Sequence, residues 1–328
     1  MQTIFPAKLT KGDEVRVIAP ASSLGIISDE IQAIANTRFE ELGLRLTFGA
    51  HVKETDEFNS SSIESRIADL HAAFTDKNVK AALCVIGGFN SNQLLPYINW
   101  DLIRNNPKPF IGYSDITALQ NAILAKTGLV TYSGPAYSTF GQKLYFDFTL
   151  EHFKKCLMQE ESFDAGVAAQ WTDDEWYLNQ DARIAEDNTG PLVLQEGEAE
   201  GVLVGANLCT TGLLFGTAFM PSLEGSVVFL EDDADSNYRK FDRLFEALLL
   251  QPGATHITGI VFGRFQKASK MTDEKIRRLV ALRPQLKGIP IVANADFGHT
   301  NPLFTFPIGG KVRLSAKQNK VQITFTEH

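Results

Sequence analysis

From residue 15 to residue 128 the chain repeats one pattern: a short, mostly apolar run, a turn rich in Gly or Pro, then a stretch with apolar residues three and four apart. Apolar runs this short, set between helical periodicities, read as buried strands. The alternation predicts a parallel sheet with helices on both faces. Val15–Ala19 (VRVIA) stops at Pro20, and Ala81–Ile86 (AALCVI) stops at Gly87-Gly88. Phe110–Tyr113 leads into a helix over Asp115–Lys126 that Gly128 closes, and Leu44–Phe48 is a weaker strand. Ser28 is placed to cap a helix carrying Ile31, Ile34, Ala35, Phe39 and Leu42 before Gly43 stops it. Ser61 and Glu64 form an S-x-x-E box ahead of Ile67, Leu70, Ala73 and Phe74. Sheets of this kind bind ligands beyond the carboxyl ends of their strands, where Gly87-Gly88 and Ser114 fall.

The rhythm breaks over 159–185, an acidic stretch holding Trp171, Trp176 and Tyr177, which reads as a connection between domains. Beyond it Glu200–Val204, Ser226–Leu230, Ile257–Phe262 and Ile291–Ala293 read as strands. Tyr238–Leu250 and Thr272–Leu282 read as helices, and Lys311–Leu314 with Val321–Phe325 as a terminal hairpin. The expected organisation is an N-terminal domain over 1–165, an aromatic linker over 166–185 and a second α/β domain over 186–328. A length of 328 residues agrees with two domains of about 100–200 residues each.

Charge narrows the partners. With 31 Lys+Arg against 39 Asp+Glu the net charge is −8, and no basic block is present. Neutralising a nucleic-acid polymer needs clustered cations, so that class of partner is excluded. No apolar run reaches the roughly 18–20 residues that span a bilayer, and the N-terminus carries charges where a signal peptide is apolar. Cys84, Cys156 and Cys209 are scattered, without C-x-x-C spacing. They argue against a disulfide framework or a cysteine zinc site and for a reduced, cytoplasmic compartment. A metal site has no support either, since neither H-E-x-x-H nor paired-His spacing occurs.

The chemistry-bearing segment is KPFIGYSDITALQNAILAKTG, residues 108–128. A strand running through Gly112-Tyr113-Ser114-Asp115-Ile116 straight into a helix is the setting of a nucleophile elbow, although Ile116 replaces the last Gly of G-x-S-x-G. The other reading of Ser114 is a helix N-cap. If it is a nucleophile, the Asp115 N–H at the helix start is free to hold an oxyanion. Gly87-Gly88 permits close approach of backbone and a second such donor. The phosphate-loop and dinucleotide fingerprints both fail here. A serine needs a base. His299, on the Gly-flanked loop of ADFGHTNPLF, stands out among six histidines; an exposed loop histidine is the other reading. A carboxylate must orient that base. Glu231 ends the apolar run VVFLE, where it is otherwise the first exposed residue past a strand. The acidic run Asp232, Asp233, Asp235 reads as solvated.

Taken together, several segments resemble the LD-carboxypeptidase family of serine peptidases along essentially the whole chain. They are APAS at 19–22, R-x-x-D-L-x-x-A-F-x-D from Arg66 to Asp76, Gly87-Gly88, G-Y-S-D-I-T at 112–117, the strand ending in Glu231, Y-R-x-x-D-R at 238–243, and G-H at 298–299 before P-I-G at 307–309. The resemblance implies a cofactor-free hydrolase with a Ser114–Glu231–His299 triad and an oxyanion hole from Asp115 and the Gly87-Gly88 pair. It also implies an N-terminal α/β domain, a barrel-like C-terminal domain and a homodimer. Gly88-Phe89-Asn90-Ser91-Asn92 with Leu94-Leu95-Pro96-Tyr97 looks like the microcin-immunity (MccF-like) branch. That branch cleaves an amide or phosphoramide joining an aminoacyl group to a nucleotide and stacks the base on a tryptophan. Trp171, Trp176, Asn90 and Asn207 are the substrate contacts this implies. Against these stand interdomain packing for the tryptophans and a cap or turn role for Asn207. A muropeptide LD-carboxypeptidase is the rival enzyme, and a non-catalytic module binding a nucleotide or peptide is the rival from another class. A histidine base places the pH dependence near neutrality.

Overall fold

The short apolar runs become strands because alternate residues can bury on opposite faces. The computed structural model describes residues 2–318 and 320–328. In chain order its first elements are β1 (Glu14–Ile18), α1 (Asp29–Leu42), β2 (Arg45–Phe48), α2 (Ile63–Thr75), β3 (Val79–Cys84), α3 (Trp100–Asn105), β4 (Phe110–Gly112), α4 (Thr117–Thr127), β5 (Thr131–Ser133) and α5 (Asp147–Met158). The second half adds β6 (Phe163–Asp164), β7 (Gln170–Trp171), β8 (Glu186–Asp187), β9 (Leu192–Gln195), β10 (Gly197–Asn207), α6 (Leu208–Gly212), β11 (Ser226–Glu231), α7 (Tyr238–Leu249), β12 (Gly259–Gly263), α8 (Asp273–Ala281), β13 (Ile291–Ala295), β14 (Phe306–Ile308), β15 (Lys311–Lys317) and β16 (Lys320–Glu327).

The first sheet runs β14-β5-β4-β3-β1-β2, parallel except where β14 joins β5. Helices cover both faces, as the alternation requires. Val15, Val17, Ala81 and Leu83 pack with α1 and α5, through Phe39 and Phe153 among others. Ile18, Ala82 and Cys84 pack with α2, α3 and α4 on the opposite face. The capping residue of α2 is Ser62, whose Oγ accepts from the Ser65 N–H, rather than Ser61 of the S-x-x-E box.

The second sheet is mixed and eight-stranded, in the order β6-β16-β15-β10-β11-β12-β13-β9. Its central strands β10, β11, β12 and β13 are parallel, so their carboxyl ends share one edge. Although β9 and β6 stand at opposite ends of this order, β9 also comes against β15 and β16, so the sheet curls round on itself in the barrel-like manner expected. One face packs on α7 and α8. The other face, with Val227, Phe229, Val261 and Val292, joins the core that also holds Val15, Val17 and Leu83 of the first sheet. The sheets do not divide as the sequence boundaries do. Phe163–Asp164 pairs with β16 of the second sheet, and Phe306–Ile308 adds an edge strand to the first.

Candidate active site

Ser114 comes two residues after β4, past the extended Tyr113, with φ +64°, a left-handed backbone rare for a residue with a Cβ. The residues before and after it are an extended strand and a single 3₁₀ turn that passes into α4. This sharp reversal lifts the side chain off the sheet edge. Its Oγ lies 2.9 Å from His299 Nε2. The hydroxyl therefore does not cap the helix; the N-cap of α4 is Ile116, and no side chain caps it. Gly87 fits because nothing larger would: a Cβ there would sit 2.8 Å from Ser114 Cβ and 3.5 Å from the Asp115 nitrogen. Gly88 is pressed instead against Ser22 and Ala21.

Glu231 comes from the carboxyl end of β11 and is buried, not the exposed residue its place after a strand suggests. Its Oε2 lies 2.7 Å from His299 Nδ1. Two glycines allow this. A Cβ on Gly298, itself at φ +109°, would stand 2.7 Å from Glu231 Oε2, and one on Gly263 would stand 2.9 Å from Glu231 Cβ. The loop that carries His299 is held by Asp296, whose carboxylate accepts from Arg264, Asn188 and the Ala168 N–H. The Tyr113 ring lies 5.5 Å from the imidazole. Thus one strand end of each sheet supplies a group, and the histidine stands between them.

Burial opposes a charged imidazolium, but the adjacent Glu231 carboxylate, its hydrogen bond and the charges of Asp233 and Asp232 outweigh it and push the His299 pKa up to about 9. Asp232 is fully buried, not solvated. Burial, with Glu231 and Asp233 nearby, raises its pKa to about 7.

The chain matches the LD-carboxypeptidase N-terminal domain over residues 15–134 and the C-terminal domain over residues 200–314. It belongs to the LD-carboxypeptidase family. A putative carboxypeptidase of Bacillus subtilis, YocD, is 47% identical over 99% of this chain and all of that protein. The microcin C7 self-immunity protein MccF of Escherichia coli is 31% identical, over 94% of each chain. Among solved structures, an MccF-like protein from Bacillus anthracis superposes with a TM-score of 0.98 at 47% identity, covering 99% of this chain and 100% of that one. MccF in complex with aspartyl sulfamoyl adenosine superposes at 0.89 with 29% identity, covering 99% of each chain.

Other residues singled out in this LD-carboxypeptidase family chain take varied places. Asn90 is buried beside the Ser114 turn, and its main-chain carbonyl accepts from Arg66. The next residue, Ser91, donates its N–H to the Asp115 carboxylate and its Oγ–H to the Asp115 carbonyl. Asp115 therefore fastens the glycine loop to the turn that carries Ser114. Arg66, which also donates to Pro20 O and Gln93, supports the same loop. Its motif position was visible in the sequence, but its task was not. Trp171 lies beneath Arg264 and Lys267, at 4.8 and 5.2 Å from ring centre to cation. Trp176 is half-buried against the hydrophobic core. Thr172 exchanges two backbone hydrogen bonds with Asn301, which ties the aromatic segment to the His299 loop. Asn207 points its amide at Glu231.

Proposed function

We propose that this protein is a serine hydrolase that cleaves a peptide-like amide with Ser114 as nucleophile, His299 as base and Glu231 as the orienting carboxylate. The observation that carries the reading is the imidazole bridging Ser114 Oγ and Glu231 Oε2 at 2.9 and 2.7 Å. With the Nδ1 proton donated to Glu231, Nε2 is left to accept the Ser114 hydroxyl proton as Oγ attacks the carbonyl. The Asp115 N–H, at the positive end of α4, and an N–H of the Gly87-Gly88 pair hold the oxyanion. His299 then gives its proton to the leaving amine, and water releases the acyl-enzyme.

The substrate we propose is a small aminoacyl-nucleotide amide. The resemblance to MccF structures that hold aspartyl sulfamoyl adenosine and adenosine monophosphate supports it. A second reading, release of a terminal residue from a murein peptide, is supported by 34% identity to a probable murein peptide carboxypeptidase of Bacillus subtilis. Rates on an aminoacyl sulfamoyl adenosine and on a murein tetrapeptide, measured side by side, decide between them. Ser114→Ala is expected to lower kcat by about 10³–10⁶-fold with the thermal transition unchanged. A fluorophosphonate should add one adduct, at Ser114, by intact mass and peptide mapping. Undiminished turnover in the variant would falsify the triad.

A further inference from the structure

Asn207 has a task that the mechanism above leaves open. The parallel register of β10 and β11 sets it opposite Glu231. Its Nδ2 donates to Glu231 Oε1 at 3.1 Å and reaches Asp232 Oδ1 at 3.4 Å. Since Oε2 meets His299, the two oxygens of Glu231 are divided between the imidazole and this amide. Asn207 Oδ1 accepts from the Thr210 N–H and so caps α6. Both polar atoms are used within the protein and the side chain is buried, which leaves nothing to present to a substrate.

The backbone around Asn207 links the second sheet to the nucleophile's helix. The Asn207 N–H donates to Oγ1 of Thr117, the first residue of α4. One turn along α4, Asn121 exchanges two hydrogen bonds with the Gly205 backbone. The strand end is bent to make these contacts: Gly205 and Ala206 both have positive φ, +106° and +112°. Such a conformation in an alanine persists only where its surroundings enforce it. At Gly205 a Cβ would lie 2.3 Å from the Phe229 carbonyl oxygen.

We propose that Asn207 is a positioning residue: it fixes the Glu231 carboxylate for His299 and ties that carboxylate to the helix that follows Ser114, so that the two sheets deliver their groups in register. The proposal rests on the Ser114–His299–Glu231 reading. It assigns Asn207 to Glu231 and α4 rather than to substrate.

Charged and titratable neighbours define the pH behaviour to be expected. Glu231 faces His299 and Tyr113; Asp232 faces Glu231, Asp233, Cys209 and Lys240. The Asn207 amide is the neutral donor set between the two buried acids.

The test is the second-order rate of Ser114 labelling by a small alkyl fluorophosphonate, followed against pH by intact mass. Asn207→Ser keeps an N-cap oxygen but is too short to reach Glu231. It is expected to label about 10–100-fold more slowly, the usual cost of a displaced catalytic group, with an unchanged thermal transition. Asn207→Asp keeps the cap and the shape but adds a third carboxylate, and should move the rising limb of the labelling profile to higher pH. Two folded variants with wild-type rate and limb would overturn the proposal. That same outcome is what a substrate-contact role predicts, because the probe carries no substrate group. Wild-type protein that fails to label at Ser114 would instead overturn the triad reading itself.

Discussion

Ser114 and His299 carry the strain and the charge of the site. A left-handed backbone at Ser114 is unfavourable for any residue with a Cβ, by about 1–3 kcal/mol, and is retained where it aims the hydroxyl. The imidazole sits beside three acids, and its pKa of about 9 displaces the pH dependence upward from the neutrality that a free histidine suggests. In the proposed mechanism His299 must be neutral to accept the Ser114 proton. The rate kcat/KM is therefore expected to climb as pH rises toward about 9 and to level beyond it, as a full pH–rate profile will show. Asp233→Asn removes one of the charges that favour the imidazolium, so its limb should move to lower pH. Stability has the opposite sign. A folded pKa above the unfolded value of about 6.5 means that the His299–Glu231 ion pair contributes fully below pH about 6.5, and that the contribution is lost as pH rises through about 9.

Helices and strands place these groups through their ends. Ser114 stands between β4 and α4, Glu231 ends β11, and His299 follows β13. In the helices the caps are local and decisive. Ser28 accepts from the Ile31 N–H, and Gly43 closes α1 in the left-handed region, both as the sequence spacing predicts. At α2 the cap is one residue later than the S-x-x-E box suggests, because the side chain that reaches the Ser65 N–H is that of Ser62. Ser62→Ala should cost about 1 kcal/mol in denaturant unfolding, while Ser61→Ala should cost less than half of that. Equal losses would restore the original box. Arg66 on the same helix holds Pro20 O and Asn90 O, so fraying of α2 would loosen the glycine loop as well.

Across the molecule the two sheets are joined by apolar contact rather than by a hinge. Phe229 on the second sheet is fully buried, with Phe297 and Phe306 rings at 5.3 and 5.1 Å. Phe306 belongs to β14, the edge strand of the first sheet, and Phe297 precedes the His299 loop. The shared core predicts one cooperative transition in calorimetry, not two. Phe229→Ala is expected to cost about 3–5 kcal/mol and to lower activity with it, since the cavity lies beneath both the interdomain contact and the His299 loop. Two resolved transitions in the wild-type protein would show that the sheets unfold independently.

Local patterning wrote much of this into the chain. Short, mostly apolar runs produced strands β1, β3 and β4, and Ser114, Glu231 and His299 stand out because each lies at or just past the end of a strand. The edge strands Phe163–Asp164 and Phe306–Ile308 could not be read in advance, because two or three residues carry no periodicity and their partners are far along the chain. The same holds for Asp232, whose acidic neighbours made it look solvated although the fold buries it, and for Ser114, whose residue type fits a cap as well as a nucleophile. Sequence fixes what depends on neighbours a few residues apart: hydrophobic period, caps and turn residues. The tertiary structure decided what depends on distance through space. It brought residues 114, 231 and 299 within hydrogen-bonding range, divided the Glu231 oxygens between His299 and Asn207, and set the charges that raise the His299 pKa.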